Sequence, residues 1–535
     1  MPTYSTAGSA ADNRPNIIII MVDDMGFSDI GCYGSEIQTP NLDSLAQNGL
    51  RFSQMYNCAR CCPTRASLLT GLYAHQAGVG HMVNDHGHPS YQGFLNDNSV
   101  TIAEVLKLAG YTTLMSGKWH VGGHYYSVNQ SEWQPGETGC PTPTTRGFDK
   151  FFGTLAGAGS FFNPHTLRRQ DSWIEPESDN FYYTDAISDE AVKMIDDQLN
   201  QPEPFFMYVG YTAPHWPLHA MPEDIERYRG KYNCGWDELR LRRHEELLGS
   251  GILQSKWNMT PRDEKAPPWS DAPDQEWEDL RMAVYSAQID RMDQGVGKIM
   301  DKLKEADIDD NTLVMFLSDN GGCAEFLRED GSPTRVLRQT CDGREVRYGN
   351  IRDLDPGPDT TYMSYDLPWA NASNTPFRLY KHWVHEGGIS TPLIAHWPAV
   401  IDGGRMDHEP CHVIDLMTTC VEAAGAEYPA EHNGSEIQPM EGESLVPAFR
   451  GDWVRDNPIF WEHEGNRAVR LGNWKLVSKH PGDFELYDMN EDRTELNDLA
   501  SAKPDRLNEM QGLYQDFAHR CNVVPWAELM EMRKR

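Results

Sequence analysis

Four times along the chain a short, mostly apolar run leads directly into a cluster of side chains able to bind metals or anions. Residues 17–22 (IIIIMV) precede Asp23-Asp24-Met25-Gly26, and residues 112–116 (TTLMS) precede Gly117-Lys118-Trp119-His120. Residues 205–209 (FFMYV) precede Thr212-Ala213-Pro214-His215, and residues 313–317 (LVMFL) precede Ser318-Asp319-Asn320-Gly321-Gly322. Runs this short, apolar toward both faces, are the pattern of strands in a parallel sheet covered by helices. Helical segments lie between them. Residues 101–109 precede the second run; Ile187, Ala191, Val192, Ile195 and Leu199 mark a helix face before the third. Tyr285, Ile289, Met292, Val296, Ile299 and Leu303 mark a longer helix before the fourth. Alternating strands and helices predict an α/β fold, in which ligands bind beyond the carboxyl ends of the strands. All four polar clusters fall at such ends, so the pattern predicts one site.

The stretches 216–278 and 323–378 are polar, rich in Trp, Pro and acidic residues, and show few periodic apolar faces. They read as loops over the mouth of the site, where substrate choice would reside. After residue 430 the pattern changes. Residues 467–478 (RAVRLGNWKLVS) and 484–488 (FELYD), joined by a His-Pro-Gly-Asp turn, read as an antiparallel hairpin, and 506–519 as a helix. The expected division is a catalytic domain over 1–430 and a smaller α+β domain over 431–535.

The balance of 47 Lys+Arg against 80 Asp+Glu gives a net charge of −33. Such a surface repels polyanions, which argues against a nucleic-acid partner or an anionic membrane surface. A small anionic substrate needs only local cations. The longest apolar run, residues 17–22, is far below the roughly 18 residues that suggest a spanning helix. The polar start (MPTYSTAGSAADNRPN) lacks a signal-peptide core, so the sequence as it stands reads as cytoplasmic, or as periplasmic or secreted if a leader was removed. Eleven scattered cysteines do not form a disulfide framework.

The most informative stretch is Cys61-Cys62-Pro63-Thr64-Arg65-Ala66-Ser67-Leu68-Leu69-Thr70-Gly71. Pro63 suits the first turn of a helix, which places Cys61 at the N-terminus, where free N–H groups favour negative charge. Arg65 adds a cation one turn on. A thiol there has a lowered pKa and can act as a nucleophile; a buried structural cysteine or a zinc ligand are the alternatives. Zinc is weakened by the lack of a matching Cys/His pair with ribbon or finger spacing.

This stretch resembles the signature of the type I sulfatases of the alkaline phosphatase superfamily, with Thr64 where Ser is commoner and Cys62 at the free position. Residues 376–398 (PFRLYKHWVHEGGISTPLIAHWP) look like the bacterial arylsulfatases. The resemblance implies an alkaline phosphatase-like fold, with a large, mostly parallel sheet between helices and a smaller C-terminal domain carrying an antiparallel sheet. It also implies that a formylglycine-generating enzyme oxidises Cys61 to Cα-formylglycine (3-oxoalanine), and it leaves Cys58 and Cys62 as bystanders. Asp23, Asp24, Asp319 and Asn320 match the family's divalent-metal ligands, with the modified Cys61 beside them. These hard oxygen donors suit Ca²⁺, with Mg²⁺ the alternative.

Arg65, Lys118, His120, His215 and Lys381 match its catalytic residues. By the same resemblance, a hydroxyl of the hydrated aldehyde attacks the sulfur of a sulfate ester. The metal, Lys118 and Lys381 neutralise the sulfate oxygens. His215 with Lys381 assists the departing oxygen, and His120 then removes the second hydroxyl's proton so that sulfate is expelled. The implied activity is hydrolysis of a small sulfate ester. A phosphonate monoester or phosphodiester hydrolase on the same scaffold and an inactive binder of sulfated glycans are the rivals. Oligomeric state and the natural alcohol stay open.

Among the other histidines, His86-Gly87-His88 reads as a loop. His382, His385 and His396 flank Lys381 and either line the pocket or pack. His463, in Trp461-Glu462-His463-Glu464, lies where the C-terminal unit could reach the mouth of the site.

Overall fold

The first apolar run becomes a strand whose residues alternate between two cores. Ile18, Ile20 and Val22 enter one, while Ile17, Ile19 and Met21 enter the other. That two-sided burial is why the run is apolar at every position rather than every second one. The computed structural model describes residues 13–123, 133–137, 139–176, 180–329, 336–451 and 453–532. Most of the polar start on which the localisation reading rests lies outside them.

The strands up to residue 318 are β1 (Asn16–Asp23), β2 (Leu50–Tyr56), β3 (Thr112–Gly117), β4 (Lys150–Thr154), β5 (Leu167–Arg169), β6 (Ser172–Trp173), β7 (Phe205–Pro214) and β8 (Thr312–Ser318). They belong to one sheet, in the order Arg405–Asp407, β2, Ser390–His396, β8, β1, β7, β3, β4, β5, β6. Its centre, β8-β1-β7-β3-β4, is parallel throughout. Ser390–His396 runs antiparallel to both β8 and β2, so its first residue lies at the carboxyl end of its neighbours. All four predicted strands are therefore adjacent, and their polar clusters share one edge.

The helices arise from ordinary signals. Ile102–Leu108 begins with a full capping box between Thr101 and Glu104. Tyr183–Gln198 leads to β7, and Gln275–Glu305 leads to β8. The last starts well before the predicted Tyr285, because Asp274 caps it by accepting the Trp277 N–H. Part of the predicted loop 216–278 is in fact a helix, Gly235–Gly249, and Asp366–Ser373 is helical within 323–378.

The C-terminal segment also differs from expectation. Residues 467–478 are not one strand but two, Asn466–Leu471 and Trp474–Ser478, separated at Gly472, whose φ of 53° only a flexible residue takes readily. With Ile459–His463 and Glu485–Asp488 they form a four-stranded antiparallel sheet in chain order. One face packs on helix Pro504–Arg520 through Met510, Tyr514 and Phe517. The other face, with Trp461, Ala468 and Val477, packs on Tyr56, Ala59, Val384 and Ile389 at the site edge of the large sheet. The buried Lys475 fastens it there, 2.7 Å from Glu386 and 2.8 Å from Glu495. Among the described residues, no helix is long and apolar enough to cross a membrane.

Candidate active site

Each predicted cluster arrives at the same point from a different strand. β1 delivers Asp23 and Asp24, β8 delivers Asp319 and Asn320, β3 delivers Lys118 and His120, and β7 delivers His215. β2 leads into helix Cys61–Thr70, with Cys61 in its first turn and only 2% exposed. Lys381 precedes Ser390–His396 and is pinned by its N–H to the Gly322 carbonyl, 3.1 Å.

Arg65 is fully buried. Its Nη2 and Nε lie 2.8 and 3.2 Å from Asp319 Oδ2, and its Nη1 donates to the Tyr208 hydroxyl at 3.0 Å. Lys118 donates to Asp23 Oδ2. Lys381 Nζ lies 2.8 Å from Asp24 Oδ1 and 3.3 Å from His215 Nε2. His215 Nδ1 is 2.6 Å from the Trp216 carbonyl, so Nδ1 carries the proton and Nε2 accepts from Lys381. Asn320 Nδ2 donates to Asp24 Oδ1 at 2.7 Å. Thr64 fills the place of the commoner Ser without loss: its hydroxyl donates to the Asp319 carbonyl at 2.6 Å and accepts the Cys58 N–H at 2.9 Å.

Electrostatics follow from this crowding. Burial pushes Asp23 up, but Lys118, His215 and Arg65 outweigh it and hold its carboxyl at about 2. Burial, reinforced by Asp23, pushes Asp319 well above the usual carboxylate range. A hydrogen bond from Cys62 draws the Cys61 thiol well below its ordinary value; Lys118 and His120 act in the same direction, against the effect of burial. Burial lowers His120 to about 4, leaving it a neutral base near pH 7. Burial also opposes the charge on Lys381, yet Asp24 outweighs it and keeps the ammonium protonated.

Two oxygens in this cluster, Asp23 Oδ1 and Asn320 Oδ1, are buried with no hydrogen-bond partner. Such atoms cost stability unless something other than a donor satisfies them. Together with Asp24 and Asp319 they form a hard oxygen set suited to Ca²⁺ or Mg²⁺, so the residues present fit a divalent cation. Asp24 and His120 take φ of 65° and 56°, a region L side chains seldom adopt. His120 is further fixed by Gly157: a Cβ there would lie 2.1 Å from the imidazole Cε1.

The structure sorts the remaining residues. Cys62, expected to be a bystander, has its Sγ 3.3 Å from His120 Nε2. His396, opposite Val314, sits at the far end of the sheet and does not line the site. His385 is fully buried, with Nε2 3.5 Å from Glu485. His382 and His463 meet each other and Glu464 at the rim. Glu325 was not picked out in sequence: it accepts the Trp216 Nε1–H at 2.9 Å and pairs with Arg60 at 3.1 Å. No motif announces it, since it lies in a loop. The loop bearing Gly157 continues into a cavity of about 570 Å³ lined by Ser160, Phe162, His219, Arg344 and Tyr362. Neither the carboxylate cluster of Asp23, Asp24 and Asp319 nor Cys61 lines that cavity.

A carboxylate cluster faced by fixed cations suits a tetrahedral anion bridged to a metal. On this sheet topology, it places the chain in the alkaline phosphatase-like class of hydrolases. Within that class the chain belongs to the sulfatase family, matched over residues 15–426, and it is a sulfuric ester hydrolase. Residues 377–518 match the C-terminal part of N-sulphoglucosamine sulphohydrolase. The chain is 32% identical over 551 residues to an uncharacterized sulfatase of Schizosaccharomyces pombe, covering 96% of this chain and 95% of that one. It is 34% identical over 464 residues to the arylsulfatase of Klebsiella aerogenes, covering 82% and 93%. Among solved structures, Ps i-CgsB in complex with k-i-k-neocarrahexaose superposes with a TM-score of 0.66 at 25% identity, covering 94% of this chain and 93% of that one.

Proposed function

We propose that the enzyme hydrolyses small aryl sulfate esters to inorganic sulfate and a phenol, with Cys61 converted to formylglycine. Asp23, Asp24, Asp319 and Asn320, with the modified residue 61, would hold one Ca²⁺ or Mg²⁺. The observation that carries this reading is the pair of buried, unpartnered oxygens on Asp23 and Asn320, set among Arg65, Lys118 and Lys381. When bound, the cation supplies Lewis acidity and charge neutralisation, and the formylglycine supplies the attacking oxygen.

The chain's own residues do the rest. Arg65 fixes Asp319 and the helix that carries residue 61. Lys118 and Lys381 bind and orient the sulfate oxygens, as cations do around a transferring phosphoryl group. Neutral His120 accepts a proton from residue 61. Lys381 donates to His215 Nε2, and the two deliver a proton to the departing oxygen. Because Cys61 is 2% exposed in the folded chain, its conversion by a formylglycine-generating enzyme precedes folding.

The test compares p-nitrophenyl sulfate with a phenyl phosphonate monoester, with the mass of the Cys61 peptide measured on the same sample. Faster sulfate turnover, scaling with formylglycine occupancy, supports the reading. Faster phosphonate turnover, or full activity with unmodified Cys61, overturns it.

A further inference from the structure

Outside the carboxylate cluster, a second group of ligating side chains gathers at the rim, and the reaction at Cys61 makes no use of it. Its centre is Glu464, in the tight turn Glu464-Gly465 between strands Ile459–His463 and Asn466–Leu471. Glu464 has a φ of 51° and Gly465 one of 82°, the geometry of a type I′ turn, which favours Asn or Gly at the first position. A glutamate tolerates that conformation where its carboxylate is held elsewhere.

Two imidazoles hold it. His382 Nδ1 lies 2.7 Å from Glu464 Oε2, and His81 Nε2 lies 2.8 Å from Oε1. A third, His463, has its Nε2 3.7 Å from Oε1, too far for a hydrogen bond. One ligand atom each from His382, His463 and Glu464 lies within 4.8 Å of the others. His463 is 0% exposed, and neither of its ring nitrogens has a hydrogen-bond partner. His463 is thus a buried imidazole with both nitrogens unsatisfied, beside a carboxylate already shared by two other imidazoles.

The surroundings have the other properties of a metal centre. His86 Nε2 lies 3.2 Å from His81 Nδ1, so the imidazole that holds Glu464 is itself held, as outer partners of metal ligands usually are. Trp383 and Trp526 pack against His382 and His81, with ring centroids 4.8 and 5.2 Å away. They give the cluster a low-dielectric cover. Burial disfavours the Glu464 charge, but hydrogen bonds from His382 and His81 outweigh it, so the carboxylate is ionised and able to ligate.

We infer that His382, His463 and Glu464 form a second metal site, selective for a borderline transition ion of the Zn²⁺ type, with His81 holding Glu464 in place. Two imidazoles and one carboxylate are a set that zinc takes with an open fourth position, whereas the all-oxygen cluster matches a hard ion, so one chain would hold two different metals. The ligands come from the residue beside Lys381 and from the C-terminal sheet, and His81, from the loop after helix Cys61–Thr70, orients Glu464. A metal there clips the C-terminal hairpin to the rim and holds the backbone next to Lys381. This inference does not depend on what happens at Cys61.

The test titrates the full-length protein, stripped with chelator and reloaded with CaCl₂, with ZnCl₂ by calorimetry. Metal content is then measured after gel filtration. The expected result is one retained Zn²⁺ per chain, and with CoCl₂ the visible absorption of a histidine-bound tetrahedral ion. His463→Ala and Glu464→Gln should weaken Zn²⁺ binding at least about tenfold, and Asp319→Ala should not. His382→Asn, at a partly exposed position, provides a variant that leaves the buried core intact if His463→Ala fails to fold. No retained Zn²⁺ overturns the inference. So does Zn²⁺ that survives in the rim variants and disappears in Asp319→Ala.

Discussion

Arg65 and Asp319 form an ion pair with no exposed surface on either side chain, Nη2 lying 2.8 Å from Oδ2. Both guanidinium contacts go to that one oxygen, and Oδ1 accepts the Asp24 N–H at 3.2 Å. The pair therefore sets the orientation of a carboxylate in the oxygen cluster. Removing the guanidinium leaves a buried Asp319 oxygen without its two donors, which typically costs about 1–3 kcal/mol and more where the group is charged. Arg65→Ala should accordingly destabilise the metal-free protein by that order and abolish turnover. Urea unfolding checks the first expectation. A loss below about 1 kcal/mol, the size of an ordinary surface change, would show that the pair does not govern the site's architecture.

Nucleophile and metal ligands should separate by mutation. Cys61→Ala leaves Asp23, Asp24, Asp319 and Asn320 in place, so turnover should vanish while calcium content stays near that of wild type. Asp319→Ala should lower calcium content as well as rate. Elemental analysis after gel filtration reads both. Unchanged calcium in Asp319→Ala would remove that residue from the ligand set.

Gly157 offers a narrower test, because the three atoms nearest a Cβ there all belong to the His120 ring. A Cβ would sit 2.1 Å from Cε1 and 2.3 Å from Nε2 of the ring, so the imidazole must move. A positioned base contributes on the order of 10²–10⁴ in rate. Gly157→Ala should lower kcat by at least about tenfold with little change in KM. A rise in KM at constant kcat would instead assign Gly157 to substrate binding.

What could be read from sequence depended on whether burial was apolar. β1, β7 and β8 were legible because both their faces enter cores, so their runs are apolar at nearly every position; β3, with Thr112, Thr113 and Ser116, is marked only by Leu114 and Met115 and by the cluster that follows it. Their end clusters placed the site because parallel strands put their carboxyl ends together. Helix Gly235–Gly249 was not legible. Two of its buried positions are arginines, Arg240 and Arg243, and Arg243 is inside only because Asp29 and Glu36 meet it at 2.6 and 2.9 Å. Partners so remote in sequence leave no local trace, so the apolar residues Trp236, Leu239 and Leu247 did not join into a continuous face. The same holds for Glu325 and Glu464, whose partners are also distant along the chain. The surroundings of Cys62 were not legible for a related reason: spacing shows it beside Cys61, but only the fold shows His120 against it.

The pH dependence of stability should carry the mark of His219. This residue is 0% exposed; its Nε2–H donates to the Thr361 carbonyl at 2.6 Å, and Nδ1 accepts the Phe161 N–H at 3.4 Å. A ring so placed is neutral, and burial lowers its pKa from 6.5 to about 4, only partly offset by the Thr361 carbonyl. Between those values the unfolded chain binds a proton at this position and the folded chain does not. Stability from this group is therefore complete above pH 6.5 and falls as the pH drops toward 4. Over that interval the loss is about 3 kcal/mol, at roughly 1.4 kcal/mol per pKa unit. His219→Gln keeps a side-chain N–H for Thr361 and has nothing to titrate there. Urea unfolding of both proteins at pH 7 and pH 5 should thus show wild type losing more stability than the variant. Equal losses would mean that His219 is protonated in the folded protein despite its burial.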